Sequence, residues 1–240
     1  FISHYDARYS GFNNVPYDDR YKSKAVSIPI SISDKLKGVV SESRYFIDEG
    51  KWYEISKHYK GSYMLAWHSL TSASNKRTCV ATIMPFMPTS QSIQFLMEEN
   101  EEELLFLTGL FNSAIFDYIL KHKLNGIDLT RSVIDQMPVP SKKRVVDCNV
   151  IISDKCYSAA SIVVHLVAEL LSDDHRLSTL TSKYLSEKII CCDREQMLVT
   201  IDWIIGVLYN IPSDRIAQII TVFHGSQDLK FLDKLEFQYK

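Results

Sequence analysis

The chain has 240 residues, 46% of them hydrophobic and 23% charged, the balance of an ordinary globular protein with enough apolar surface for a sizeable core. Twenty-seven Lys and Arg against 29 Asp and Glu leave a formal net charge of −2 and a pI near 6.4, which excludes a histone-like, wholesale electrostatic binder. Any nucleic-acid contact must come from a local patch.

Residues 1–65 read as irregular and β-rich, with tyrosines interleaved among Asp and Arg. Ala25–Ser33 alternates apolar and small polar residues, the period of a half-buried strand, and Pro29 makes it an edge. Arg44–Ile47 and Trp52–Ile55 are further strand candidates, separated by a turn at Glu49-Gly50. Met64–Leu70 and Cys79–Met84 read as two strands joined by the polar loop Thr71–Thr78, and Pro85 and Pro88 end the second. Trp67, within the first, reads as a core residue rather than a base-stacking platform.

Glu102–Leu124 is expected to form one helix, with glutamates at its start, Lys121, His122 and Lys123 at its end, and Asn125-Gly126 as its stop. The rigid segment Met137–Pro140 marks a boundary between lobes at 1–140 and 141–240. From Ile151 onward the pattern is helical: Ser161–Leu171 is apolar enough to be buried on most sides, Glu195–Tyr209 has one apolar face, and Pro212 precedes a last helix, Arg215–Phe223, capped by Ser213 and Asp214. The fold class is therefore α+β, a β-rich lobe followed by a helical one.

Charge is unevenly spread. Arg20–Met97 holds eleven Lys and Arg against five Asp and Glu, whereas Ile151–Lys240 holds nine against twelve. The asymmetry suggests that the first half meets DNA and the last part meets protein. The five cysteines, with Cys191 and Cys192 adjacent, lack both disulfide and zinc spacing and fit a reducing cytoplasm. No run approaches the ~18 apolar residues of a membrane span. The chain opens on Phe1 rather than Met, so it reads as a piece of a longer one.

No Gly-rich cofactor loop, P-loop or serine-hydrolase motif is present. Asp147, Asp154 and Glu187-Lys188 fit a metal-nuclease pattern only loosely, and the histidines, His165 among them, lack ligand spacing. No catalytic residue and no metal ligand is expected here.

Three segments together resemble one family. They are YMLAWHSLTSASNKRTCVATIMP (63–85), LFNSAIFDYILKHKLNGIDLTRSVIDQMPVP (within 104–140) and IDWIIGVLYNIPSDRIAQIITVF (201–223). In order and spacing they are similar to the C-terminal target-recognition region of type IIG restriction–modification enzymes and related adenine-specific DNA methyltransferases. Asn210 stands where that family often has Gly, and Asn tolerates the left-handed turn. The first sixty residues match poorly, as expected where DNA specificity varies. The resemblance implies a non-catalytic module that binds double-stranded DNA. Its parent enzyme would carry a methyltransferase domain using S-adenosylmethionine N-terminal to Phe1, and Mg²⁺ if a nuclease is also present.

On that reading Ser74, Asn75, Lys76, Arg77 and Thr78 form one DNA-binding set, and Lys121, Lys123, Asn125 and Arg131 a second. Lys and Arg can neutralise phosphates or read guanine edges, Asn can pair with adenine, and short hydroxyls bring backbone close to DNA. Two alternatives stay open at Arg77 and the helix-end lysines: an ion pair that stabilises the loop, and compensation of the helix dipole. For the whole chain, the alternatives are a protein-interaction module of a phage-defence methyltransferase and an unfamiliar nuclease.

Overall fold

A computed structural model describes residues 1–187, 189–190, 192–226 and 229–239. Lys188 and Cys191 lie outside them. The protein is a mixed α+β fold, 45% helix and 14% strand, with small antiparallel sheets and a helical C-terminal region.

The N-terminal segment holds less strand than its sequence suggests. β1 (Ser10–Gly11) pairs with β2 (Ile28–Pro29), flanking the short helix α1 (Tyr17–Arg20). The alternating run Ala25–Ser33 stops pairing after two residues because Ser31 accepts the Asp34 N–H at 3.1 Å and starts α2 (Ile32–Leu36). Arg44–Ile47 is not a strand. Trp52–Ile55 is helical, since Asp48 caps α3 (Glu49–Ser56) and turns the expected Glu49-Gly50 turn into its first turn. Arg8 ties this segment down: its buried guanidinium donates to the carbonyls of Lys35 (2.9 Å) and Asp173 (2.7 Å).

β3 (Tyr63–His68) is the middle of a sheet ordered β4-β3-β5, between β4 (Ala81–Pro85) and β5 (Ile93–Leu96), both antiparallel to it. Its residues 63–67 are buried on both faces, which is why the segment reads as a continuous apolar run. Trp67 is a core residue: its ring meets Phe111 at 5.7 Å and its indole N–H donates to the Leu129 carbonyl at 3.1 Å.

The single helix expected at 102–124 is two, α4 (Glu101–Asn112) and α5 (Ala114–Lys123), bent by 63°. Ser113, in extended geometry, caps α5 by accepting the Phe116 N–H at 3.1 Å. Asp202 takes the freed Ala114 N–H at 2.7 Å. Asn112 leaves the helix face to behave as a strand partner, accepting from Ala81 N–H (3.0 Å) and donating to the Ala81 carbonyl (2.9 Å).

After α6 (Arg131–Ile134) and α7 (Lys142–Asp147) comes a hairpin that the helical reading missed. β6 (Cys148–Ile152) and β7 (Lys155–Ser158) are joined at Ser153 and Asp154, both at positive φ, as a two-residue turn requires. The helices are α8 (Ala159–Leu171), α9 (Ser178–Thr181), α10 (Arg194–Leu208) and α11 (Ser213–His224). The C-terminal strand β8 (Glu236–Tyr239) completes a sheet ordered β7-β6-β8. Asp193 and Gln196 form a capping box on α10. Pro212, not Ser213 or Asp214, occupies the cap position of α11. Asn210 holds φ +62° in the turn before it, the geometry expected of a Gly substitute.

One apolar cluster runs from Tyr5 to Leu232, with α4, α8 and α10 at its centre. Glycine sets two of its helix contacts. A Cβ at Gly109 would lie 2.6 Å from Val163 on α8, and one at Gly206 2.7 Å from Ile216 on α11. The Pro138–Pro140 segment is tied to the helices by the Tyr209 hydroxyl, which donates to the Pro138 carbonyl at 2.7 Å.

Candidate nucleic-acid interface

The loop between β3 and β4 is held from two sides. On one side the chain just before α6 adds itself to the end of β3: Leu129 N–H donates to Ser69 (2.6 Å), Thr71 N–H donates to Ile127 (2.8 Å), and Leu70 bridges Asp128. On the other side α5 reaches across. Lys121 Nζ donates to the Ala73 carbonyl at 3.0 Å and also to that of Asn75.

Beneath the loop sits Asp117, fully buried on α5. Its carboxylate accepts the Thr78 N–H on both oxygens (2.9 and 3.0 Å) and the Cys79 N–H at 2.6 Å. Arg77 turns inward over it, 3.7 Å away through Nε, and donates through Nη2 to the Asn112 carbonyl. Burial pushes the Asp117 carboxyl up, against the opposing pull of Arg77 and the two amides. Burial beside Asp117 also raises the Cys79 thiol, which is inert as a nucleophile.

His4 Nε2 donates to the Cys79 carbonyl at 3.0 Å, and burial and Arg77 depress its pKa to about 3. On the far side, His224 Nε2 meets Asp202 Oδ2 at 2.7 Å and Nδ1 lies 3.4 Å from Glu195. Asp202 therefore raises the His224 pKa.

These facts sort the residues named from sequence. Ser74, Asn75 and Lys76 are exposed at the loop tip, and Lys123 and Asn125 are exposed on the segment that borders it. Lys121 is half-buried and holds loop carbonyls. Arg77 is the ion-pair alternative: its side chain is only 17% exposed. Thr78 is fully buried, donates its hydroxyl to Ser72 (3.3 Å) and is removed from the contact set. Arg131 is exposed on α6, its Nε 3.3 Å from Asp135.

Sequence reasoning missed Asn112, Asp117, Asp202, Phe223 and His224 as members of this arrangement. A signal existed: Asp117 and Asp202 each interrupt an apolar run, and an acid in such a place needs a buried partner. Asn112-Ser113 in mid-helix is likewise a cap signature.

Elsewhere, Glu187 pairs with Lys155 at 2.6 Å and Asp154 occupies the β6–β7 turn. Among the described residues no group of three His, Cys, Asp or Glu converges as a metal site. His165 is a core residue whose Nδ1 donates to the Tyr184 carbonyl at 2.9 Å. Among the described residues no single helix is long and apolar enough to cross a membrane. No family model, curated protein or solved structure matches the chain.

Proposed function

We propose that this chain is a double-stranded DNA recognition module of a cytoplasmic restriction–modification enzyme. Methylation of adenine with S-adenosylmethionine, and any Mg²⁺-dependent cleavage, would reside in other parts of the parent protein. The lobe around the β3–β4 loop reads the target, and the helices behind it set that lobe against the catalytic domain. The observation that carries the reading is the division of labour in the loop. Its inner side is held by Asp117, Arg77 and Lys121, while Ser74, Asn75 and Lys76 are exposed, as are Lys123 and Asn125 on the segment that contacts the loop through Lys121 and Ile127. A rigid backbone presenting short polar donors, amides and lysines is suited to phosphate contact and base-edge readout.

The test is duplex binding by this chain at two or more salt concentrations. Binding should weaken linearly in log–log form as salt rises, because phosphate contacts release counterions. Lys76→Ala and Lys123→Ala should each lower the slope by about 1. Salt-independent binding, or none, ends the proposal.

One observation favours the protein-interaction alternative. Ile32, Leu36, Phe46, Tyr53 and Ile55, large apolar side chains of the N-terminal segment, are each more than 65% exposed, and a partner protein would cover such side chains. Recovery of protein partners without duplex DNA in a pull-down would select that reading.

A further inference from the structure

The C-terminal end of α11 reaches the loop from below. The Phe223 ring is buried, with the Arg77 guanidinium 5.2 Å and the Lys121 ammonium 5.8 Å from its centroid. These two cations hold the loop's inner side, and the negative face of one aromatic ring attracts both. The helix end that carries the ring is fixed in turn by its neighbour: His224 binds Asp202 on α10 at 2.7 Å. Asp202 also takes the first free N–H of α5 at Ala114. The contacts therefore close a circuit. It runs from the loop to Asp117 and Lys121 on α5, through Ala114 to Asp202 on α10, to His224 and Phe223 on α11, and back to Arg77.

We propose that Phe223 and His224 form a positioning clamp that sets how rigidly the β3–β4 loop is held, and thereby how sharply it discriminates between DNA sequences; this rests on the reading of the loop as a DNA contact. Phe223 does not touch DNA in this scheme. It acts through Arg77 and Lys121, whose backbone partners are Asn112, Ala73 and Asn75. A loop that is loosened keeps its lysines and hence its attraction to phosphates. What it loses is the fixed placement of Ser74 and Asn75 on which base readout depends.

The experiment compares wild type, Phe223→Leu and Phe223→Tyr, using the full chain. Leu keeps an apolar side chain, though a smaller one, without the π face, and Tyr retains the face. Hydrogen exchange of the amides at 71–78 should run about five- to thirty-fold faster in Phe223→Leu, while exchange in α8 is unchanged, and Phe223→Tyr should return to the wild-type rate. In parallel, each protein selects from a pool of randomised 30-base-pair duplexes. Phe223→Leu should retain overall affinity within about threefold but enrich a flatter sequence motif than wild type. Unchanged loop exchange in Phe223→Leu, equal acceleration of the loop and α8, or a wild-type motif despite a loosened loop would each overturn the clamp. If the wild-type chain selects no duplex, the DNA reading fails and the exchange ratio alone decides whether Phe223 positions the loop.

Discussion

Replacing Asp117 by Ala would remove the group on which the inner side of the β3–β4 loop converges. Two buried amides, Thr78 and Cys79, lose their acceptor, and Arg77 loses its only carboxylate within 4 Å among the described residues. Each orphaned buried donor costs about 1–3 kcal/mol. Arg77 adds less than a sealed cation would, because its side chain is 17% exposed and water covers part of it. The sum is about 3–5 kcal/mol, the range found when one partner of a buried pair is removed. For a chain of this size that shifts the thermal midpoint down by roughly 6–20 °C. Chemical denaturation of wild type, Asp117→Ala, Arg77→Met and the double variant measures it, and the double-mutant cycle separates the ion pair from the amides. The amides should dominate, so Asp117→Ala should cost more than Arg77→Met. A loss below about 1 kcal/mol for Asp117→Ala would refute the argument that this carboxylate organises the loop.

Lys76→Ala and Lys123→Ala should leave stability within about 0.5 kcal/mol while weakening duplex binding, the reverse of Asp117→Ala; paired denaturation and binding curves check both. Gly109→Ala should cost about 1–2 kcal/mol net, since Val163 has little rotamer freedom to retreat from a 2.6 Å contact and the gain in helix propensity offsets only about 1 kcal/mol. Gly126→Ala, where an added Cβ meets nothing within 4 Å, should be neutral or slightly stabilising. The histidines predict opposite responses to pH. His4, held neutral with a folded pKa of about 3, contributes stability that is full above pH 6.5 and is lost on acidification by at most about 1.4 kcal/mol per pH unit. His224, raised by Asp202, contributes stability that is full below 6.5 and is lost as pH rises through its folded value. His4→Gln should therefore flatten the acid limb of a stability–pH profile and His224→Gln the neutral-to-alkaline limb. Denaturant melts from pH 4 to 9 read both.

The strongest sequence signals were local ones. Met64–Leu70 reads as a strand and Ser161–Leu171 as a helix buried on most sides, and the structure places Tyr63–His68 at the centre of a sheet and Ala159–Leu171 in the helical core. The polar punctuation of the β3–β4 loop was equally legible. Less visible was the hairpin at Cys148–Ser158, since a short apolar run such as VII carries the same pattern in a helix or a strand, and its turn lacks Gly. Trp52–Ile55 reads as a strand because its aromatic and β-branched residues favour one, whereas Asp48 starts a helix there.

The sequence by itself determined which segments are apolar enough to be buried, where the polar loop falls between two strands, and that an Asn could make the turn at 210. Tertiary structure alone decided the direction of the charged side chains. Arg77 and Lys76 are neighbours of like charge in one polar loop, indistinguishable by composition, yet one lies over a buried carboxylate and an aromatic ring and the other faces solvent. The physical reason is that a cation turns inward only where partners outweigh its loss of hydration. Those partners, Asp117, Asn112 and Phe223, lie 35 or more residues away in the chain.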